Sequence, residues 1–136
     1  MFLLLIILIL LPHTVLAEDP NPIKLNKPIK YTNMGMDKYN NKAVSVLEIE
    51  QIDNRKIKFV METVFNEHVC DVSGVARSKA ENEKDFEFVY EKCHLHLVFS
   101  HADNTITSSD PERACSQYYC GFNASLHGYT FNKVKE

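Results

Sequence analysis

The chain has 136 residues and a formal net charge of −3 at pH 7. This length fits one small domain, since domains typically contain about 50–250 residues, and it allows only a modest core. The charge is close to neutral and the basic residues form no stripe, which argues against nucleic acid as a partner.

An apolar run at the start of the chain predicts a signal peptide. Residues 2–11 are all apolar, but this run is too short to span a bilayer, which needs about 20 residues. Pro12 ends it, and modest or small residues up to Ala17 fit a cleavage site. No lysine or arginine precedes the run, so an uncleaved anchor is the alternative. We expect residues 1–17 to be removed and the mature protein to be exported, periplasmic or secreted, with no membrane contact afterwards.

The next stretch, residues 18–42, is rich in proline and asparagine, which interrupt regular structure. We predict an irregular N-terminal arm here. A short edge strand is the alternative, because Ile23, Leu25 and Ile29 alternate with polar residues.

Residues 43–136 are predicted to form a single β domain. Alternating apolar residues on both sides of an Asp53-Asn54 turn favour a hairpin, with a helix over 43–51 as the alternative. Gly74 favours a bulge, and a change in the parity of the apolar residues requires a break near residues 91–92. Further strands are predicted at 69–76, 86–90, 93–99, 105–107 and 124–134. The fold class is therefore mainly β, as a small antiparallel sheet, sandwich or barrel with two disulfides.

The disulfides are predicted from four cysteines in the exported part: Cys70, Cys93, Cys115 and Cys120. An even number of cysteines after a signal peptide is typical of disulfide-bonded proteins. The sequence does not decide among the three pairings. We favour Cys70–Cys93 with Cys115–Cys120, which link neighbours along the chain and make the second pair a tight corner before the last strand. A four-cysteine metal site is the rival, but its cysteines usually come in closely spaced pairs.

Two histidines suggest a second kind of chemistry. His94 and His96 lie two residues apart in a predicted strand, so both project from the same face. They could share a metal ion with His68, His101 or His127 as a third ligand, or act as acid and base in a small secreted hydrolase. The alternative is an ordinary polar outer face. We predict no other cofactor and favour a protein that is not an enzyme.

Aromatic residues near the C-terminus are the candidate binding residues: Tyr118, Tyr119, Phe122 and Tyr129. Exposed aromatic side chains are favoured anchors of protein interfaces, whereas core packing is the alternative for these four. The nearby Asn123-Ala124-Ser125 is a glycosylation sequon in a eukaryote, and a turn leading into a strand in a bacterium.

Residues 69–131 also resemble a loose group of known proteins. The resemblance lies in Cys70-Asp71-Val72-Ser73-Gly74-Val75-Ala76, in Tyr90 and Cys93-His94-Leu95, and in Cys115, Tyr119-Cys120-Gly121, Ala124-Ser125-Leu126-His127-Gly128 and Phe131. The chain resembles small exported proteins of Gram-negative bacteria, mostly uncharacterised, with a Cys-x4-Cys-Gly corner. Lysozyme inhibitors are the best-known functional class among such modules, although the Ser-Gly-rich loop of one inhibitor family has no clear match here. The resemblance implies a periplasmic module that binds or inhibits another protein.

Overall fold

The computed structural model of the protein describes residues 27–36, 39–81, 83–121 and 123–136. The predicted signal peptide, the arm as far as residue 26 and Phe122 lie outside the described residues. Eight antiparallel strands form a closed barrel in which each strand pairs with the next and β8 returns to β1. The elements are β1 (Ile29–Met36), β2 (Lys42–Asp53), β3 (Lys56–Phe65), β4 (His68–Arg77), β5 (Asp85–Tyr90), β6 (Cys93–Ser100), β7 (Thr105–Ser109), α1 (Ala114–Tyr119) and β8 (Thr130–Lys133).

The apolar residues of each strand lie on its inner face, and the barrel closes around them. Successive side chains of a strand point to opposite faces, and in an eight-stranded barrel the interior is just wide enough to be filled by side chains. Every strand contributes at least one buried apolar residue to one continuous core. In chain order, these include Tyr31, Leu47, Phe59, Val72, Phe86, Leu95, Ile106 and Phe131.

The mainly β fold class predicted from the sequence is confirmed, as are the β2–β3 hairpin and the break at residues 91–92, which is the turn between β5 and β6. The helix considered for 43–51 is wrong, because this segment belongs to β2. The irregular arm is also wrong from Ile29 to Met36. This segment is β1, and it pairs with β2 on one side and β8 on the other.

The last predicted strand is much shorter than expected. Only Thr130–Lys133 of residues 124–134 forms a strand. Before it, both hydroxyl groups and the main chain of β7 provide hydrogen bonds. Ser108 Oγ donates to Leu126 O (2.7 Å), and Leu126 N donates to Ser116 Oγ (3.0 Å). Gly128 N also donates to Ser108 O, and Ser108 N donates to Tyr129 O, both at 2.9 Å. The segment is therefore a loop with Ala124 and Leu126 buried, held by hydroxyl groups and by the main chain of β7.

Gly74 does not form the predicted bulge, since the β3–β4 register runs through it without a shift. The glycine instead makes room for Phe88. A Cβ at position 74 would lie 2.5 Å from Phe88 Cε2, and this ring is packed between Phe59 and Tyr119, with centroid distances of 5.4 and 6.2 Å.

We therefore expect Gly74→Ala to lower the free energy of unfolding by about 1–3 kcal/mol, as overpacking of a core does. The matched control is Gly35→Ala in β1, where the nearest atom to an added Cβ is 4.0 Å away. Urea unfolding of both variants measures the difference. Equal stability of the two would contradict this role of Gly74.

The two ends of the barrel differ. Because alternate strands run in opposite directions, β4 and β6 begin at the same end, together with the turns at residues 66–67 and 91–92. The long connection 110–129, which contains α1, joins β7 to β8 at this end. We call it the capped end.

Candidate functional site at the capped end

Two disulfides fix α1 across the capped end. Cys93 of β6 is bonded to Cys115 near the start of the helix, and Cys70 of β4 is bonded to Cys120 directly after it. The predicted pairing of Cys70 with Cys93 and Cys115 with Cys120 is therefore wrong, although all four cysteines are paired. Cys70 and Cys93 both point into the barrel near the starts of their strands. Each is bonded to a different end of α1.

A buried carboxylate holds the start of the helix. Asp110 is 2% exposed, and its two oxygens accept hydrogen bonds from Cys115 N (3.1 Å), Ser116 N (2.9 Å) and Ser116 Oγ (2.7 Å). The N-cap residue itself, Arg113, makes no side-chain cap. Asp110 thus supplies the acceptor that the first amide groups of a helix require.

The anchored helix presents two tyrosines beside a third from β5. Tyr90 and Tyr118 meet edge to face with ring centroids 5.6 Å apart, and Tyr119 lies 6.3 Å from each of them. Tyr90 is 49% exposed and Tyr118 is 44% exposed. We call Tyr90, Tyr118 and Tyr119 the tyrosine patch. Through Phe88, which contacts both Tyr119 and Phe59, the patch is continuous with the core.

One hydroxyl group of the tyrosine patch is hydrogen-bonded to a carboxylate, and two of the phenols have a raised pKa. Tyr118 Oη donates to Glu91 Oε2 (2.8 Å), and this hydrogen bond raises the pKa of the phenol. Burial raises the pKa of Tyr119. Both phenols therefore stay neutral at physiological pH, and Glu91 fixes the orientation of the more exposed one.

Of the predicted binding residues, the structure brings Tyr118 and Tyr119 together. Tyr129 lies elsewhere: its ring stacks 6.0 Å from Phe131 in the core cluster, and burial raises its pKa. Phe122 lies outside the described residues. Sequence reasoning missed Tyr90, which has the parity of the core residues Phe86 and Phe88 but comes at the end of its strand.

The two histidines of β6 lie on the outer face and face carboxylates. His94 Nδ1 is 2.5 Å from Glu87 Oε1, and His96 Nδ1 is 2.9 Å from Asp85 Oδ1. These carboxylates come from β5, where Glu87 pairs with His96 and Val89 with His94. The arrangement orients both rings along the outside of the sheet.

The part of the chain that the structure describes offers no third ligand for the predicted metal ion. Among the described residues, no group of three or more histidine, cysteine, aspartate or glutamate side chains is placed to hold a metal. His127 Nδ1 accepts a hydrogen bond from Asp110 N (3.0 Å), and His101 packs near Phe99. Metal binding by His94 and His96 remains a prediction without support from the geometry, and so does their use as an acid–base pair.

The His94–Glu87 contact has a consequence for stability. The hydrogen bond to His94 lowers the pKa of Glu87 from its ordinary value of 4.5. Because the folded state lowers this pKa, the contribution to stability is complete above the ordinary pKa and is lost as the pH falls through the lowered value. We expect the stability difference between wild type and Glu87→Gln to shrink as the pH falls below about 4.5.

Urea unfolding of the two proteins between about pH 3 and 5 would measure this difference. Glu48→Gln is the control, because Glu48 is an exposed glutamate on β2. A difference between wild type and Glu87→Gln that grows as the pH falls would contradict the sign of the pKa shift.

No known family model, curated protein or solved structure matches the chain. The resemblance to small exported proteins of Gram-negative bacteria is therefore still an expectation. Within the described ranges, the chain forms no helix of the length and apolar character needed to cross a membrane.

Proposed function

We propose that the protein is an exported, inhibitor-like β-barrel module that binds another protein through the tyrosine patch. The observation that carries the proposal is the clustering of Tyr90 of β5 with Tyr118 and Tyr119, which lie on a helix tied to the barrel at both ends. Export fits the two disulfides, because such bonds persist in oxidising compartments.

The patch has the properties of a preformed interface. Tyrosine gives a large contact area at a low cost in side-chain entropy, since it has only two rotatable χ angles. Contacts between the rings and the Tyr118–Glu91 hydrogen bond already order these side chains. A partner would therefore bind without ordering them, and binding is stronger when that cost is absent.

Because side chains fill the interior of the barrel, we place the binding site on the outer surface. Interior side chains such as Phe59, Leu97 and Phe131 are at most 1% exposed and belong to one continuous cluster. A small ligand in the barrel would have to displace them. Binding at the end of the barrel leaves the core intact.

Site-specific photocrosslinking tests the proposal. A benzophenone amino acid at position 118 in the native cells should join the protein to one discrete partner. The control is the same substitution at Ile52, which is 50% exposed and lies at the opposite end of the barrel, and it should not give that product. Crosslinks of equal yield from both positions, or none from position 118, would contradict the proposal.

The captured partner then allows a quantitative test. We expect Tyr90→Ala to weaken binding of the purified partner at least tenfold, as truncation of an aromatic anchor does. Tyr129→Phe should have little effect, because this ring packs against Phe131 in the core cluster. A Tyr90→Ala variant that binds as tightly as wild type would exclude the patch.

Lysozyme is the first enzyme to assay for the inhibitor-like form of the proposal. Inhibition by the wild type and its loss in Tyr118→Ala would assign the protein to that class. A wild-type protein without effect on lysozyme would exclude this inhibitor class and leave binding of a different protein as the proposed function.

A further inference from the structure

The weakest seam of the barrel lies between β4 and β5, although β8 also shares only two residue pairs with β1 and three with β7. Strands β4 and β5 share a single residue pair, Arg77 with Glu87, whereas β3 and β4 share ten pairs and β5 and β6 share six. In the same register, Val75 would come opposite Val89, but the two do not pair. The strands therefore separate towards the capped end.

The turn before β4 shows which main-chain groups face the seam. Asn66 and Glu67 both have positive φ, 45° and 72°, as in a two-residue type I′ turn, so Phe65 and His68 form the hydrogen-bonded pair that closes it. Along an antiparallel ladder, hydrogen-bonded pairs alternate with non-bonded ones. Even-numbered residues of β4 thus direct their N–H and C=O groups to β3, and odd-numbered residues direct theirs to the seam.

Two of these odd-numbered residues have a free edge. Arg77 is paired with Glu87, and the bridge between Cys70 and Cys120 closes the seam at the capped end. Between them, Ser73 and Val75 pair with no described strand on that side, and no hydrogen bond joins their main chain to a described turn or loop. An edge of this kind is a template for another extended chain.

Beside Ser73, the outer face carries a pair of negative charges, whereas Lys58 lies opposite Val75 farther along the edge. Glu62 of β3 lies directly opposite Asp71 of β4, in a non-bonded pair, where side chains are closest. Like charges in this position destabilise a sheet. Both residues are exposed, and neither forms a salt bridge with a described residue. A cation from a partner would remove this repulsion.

We propose that the partner presents an extended, basic segment that adds to the edge of β4 at Ser73 and Val75 and places a lysine or arginine against Asp71 and Glu62. A residue opposite Ser73 is a diagonal neighbour of Asp71, about 7–8 Å away, within reach of a long side chain. Val75 and Val89, 39% and 54% exposed, supply apolar contacts on both sides of the seam. The alternating donors and acceptors of the edge match a polypeptide backbone, which is how β-augmentation works.

This inference rests on the proposed function and names the kind of partner segment. Tyr90 ends β5 at the seam, and Tyr119 directly precedes Cys120, which bridges to Cys70. The free edge and the tyrosine patch are therefore neighbours, so one partner can contact both.

The probe is an acetylated eight-residue peptide of alternating lysine and valine, titrated calorimetrically against the full domain. We expect saturable binding and slower hydrogen exchange of the Ser73 and Val75 amides. The Glu62→Gln/Asp71→Asn variant should bind at least tenfold more weakly. The same peptide with every residue N-methylated keeps the side chains but has no main-chain donors, and it should not bind.

Four outcomes would overturn the inference. Equal binding of the N-methylated peptide would exclude strand pairing, and equal binding to the Glu62→Gln/Asp71→Asn variant would exclude the charge contact. Concentration-dependent dimerisation of the protein alone, with protection at Ser73 and Val75, would assign the edge to a second copy.

If position 118 crosslinks to a partner but the lysine–valine peptide does not bind, the inference fails and the tyrosine patch stands. If the peptide binds and position 118 gives no crosslink, the edge stands and the patch fails.

Discussion

Replacing Cys70 and Cys120 together by alanine should lower the free energy of unfolding by about 4 kcal/mol. This bond joins residues 50 positions apart, and in the chain-entropy model a loop of that length gives a stabilisation of about 4 kcal/mol. The bond is also one of two that hold α1. We therefore expect Tyr118 and Tyr119 to lose their fixed positions, visible as a weaker near-ultraviolet circular dichroism signal.

The matched control is Cys93→Ala with Cys115→Ala. This bond spans 22 positions, so its removal should cost less, about 3 kcal/mol. Urea unfolding in the absence of reductant compares the two variants. A loss below about 1 kcal/mol for the Cys70–Cys120 variant would contradict the role given to that bond.

Asp110→Ala should cost about 4 kcal/mol, because it removes the acceptor of three hydrogen bonds inside the cap. Each buried donor left without a partner costs about 1–3 kcal/mol. The donors are Cys115 N, Ser116 N and Ser116 Oγ. Because the rest of the loop can rearrange around these donors, we expect a total cost below the sum of three such penalties. Among single substitutions, an effect of this size is exceptional.

Two further variants show whether the lost stability comes from the buried acceptor oxygens of Asp110 or from the loss of any carboxylate. Asp110→Asn keeps one acceptor oxygen and should fall between wild type and alanine. Asp103→Ala removes an exposed carboxylate that accepts one bond from Ser100, and it should change stability by less than about 0.5 kcal/mol. Thermal unfolding of the three proteins measures the order. Equal effects of Asp110→Ala and Asp103→Ala would show that the buried carboxylate does not hold the cap.

The strands could be predicted from the sequence because burial on one face leaves a local signal. Ile57, Phe59 and Met61 are buried at every second position of β3, and Cys93, Leu95 and Leu97 repeat this pattern in β6. The pattern gives the parity of each strand. It does not give the partner of the first strand, and β1 was missed because the preceding prolines and asparagines suggested irregular structure.

The position of α1 across the capped end could not be predicted, because the residues that determine it are distant in the sequence. Neighbourhood along the chain favoured a Cys115–Cys120 bond, but barrel closure brings the starts of β4 and β6 to the two ends of α1. The helix has six residues and no side-chain cap of its own. Its capping acceptor is Asp110, three residues before Arg113, and that arrangement exists only once the loop is folded.

The tyrosine patch was predictable in part. Tyr118 and Tyr119 were noted for their aromatic character, but their meeting with Tyr90 depends on the cap. The contact joins residues of β5 and α1, and no spacing within either element indicates it. The candidate site thus follows from how the two disulfides place α1.

Disulfide mapping tests that placement most directly. Trypsin under non-reducing conditions would release residues 59–77 with Cys70, 93–113 with Cys93, and 114–133 with both Cys115 and Cys120. The structure predicts that mass spectrometry finds all three peptides joined, and that further cleavage after Tyr118 or Tyr119 leaves Cys70 with Cys120 and Cys93 with Cys115. A joined pair of 59–77 and 93–113, with 114–133 separate, would contradict the cap and the tyrosine patch that depends on it.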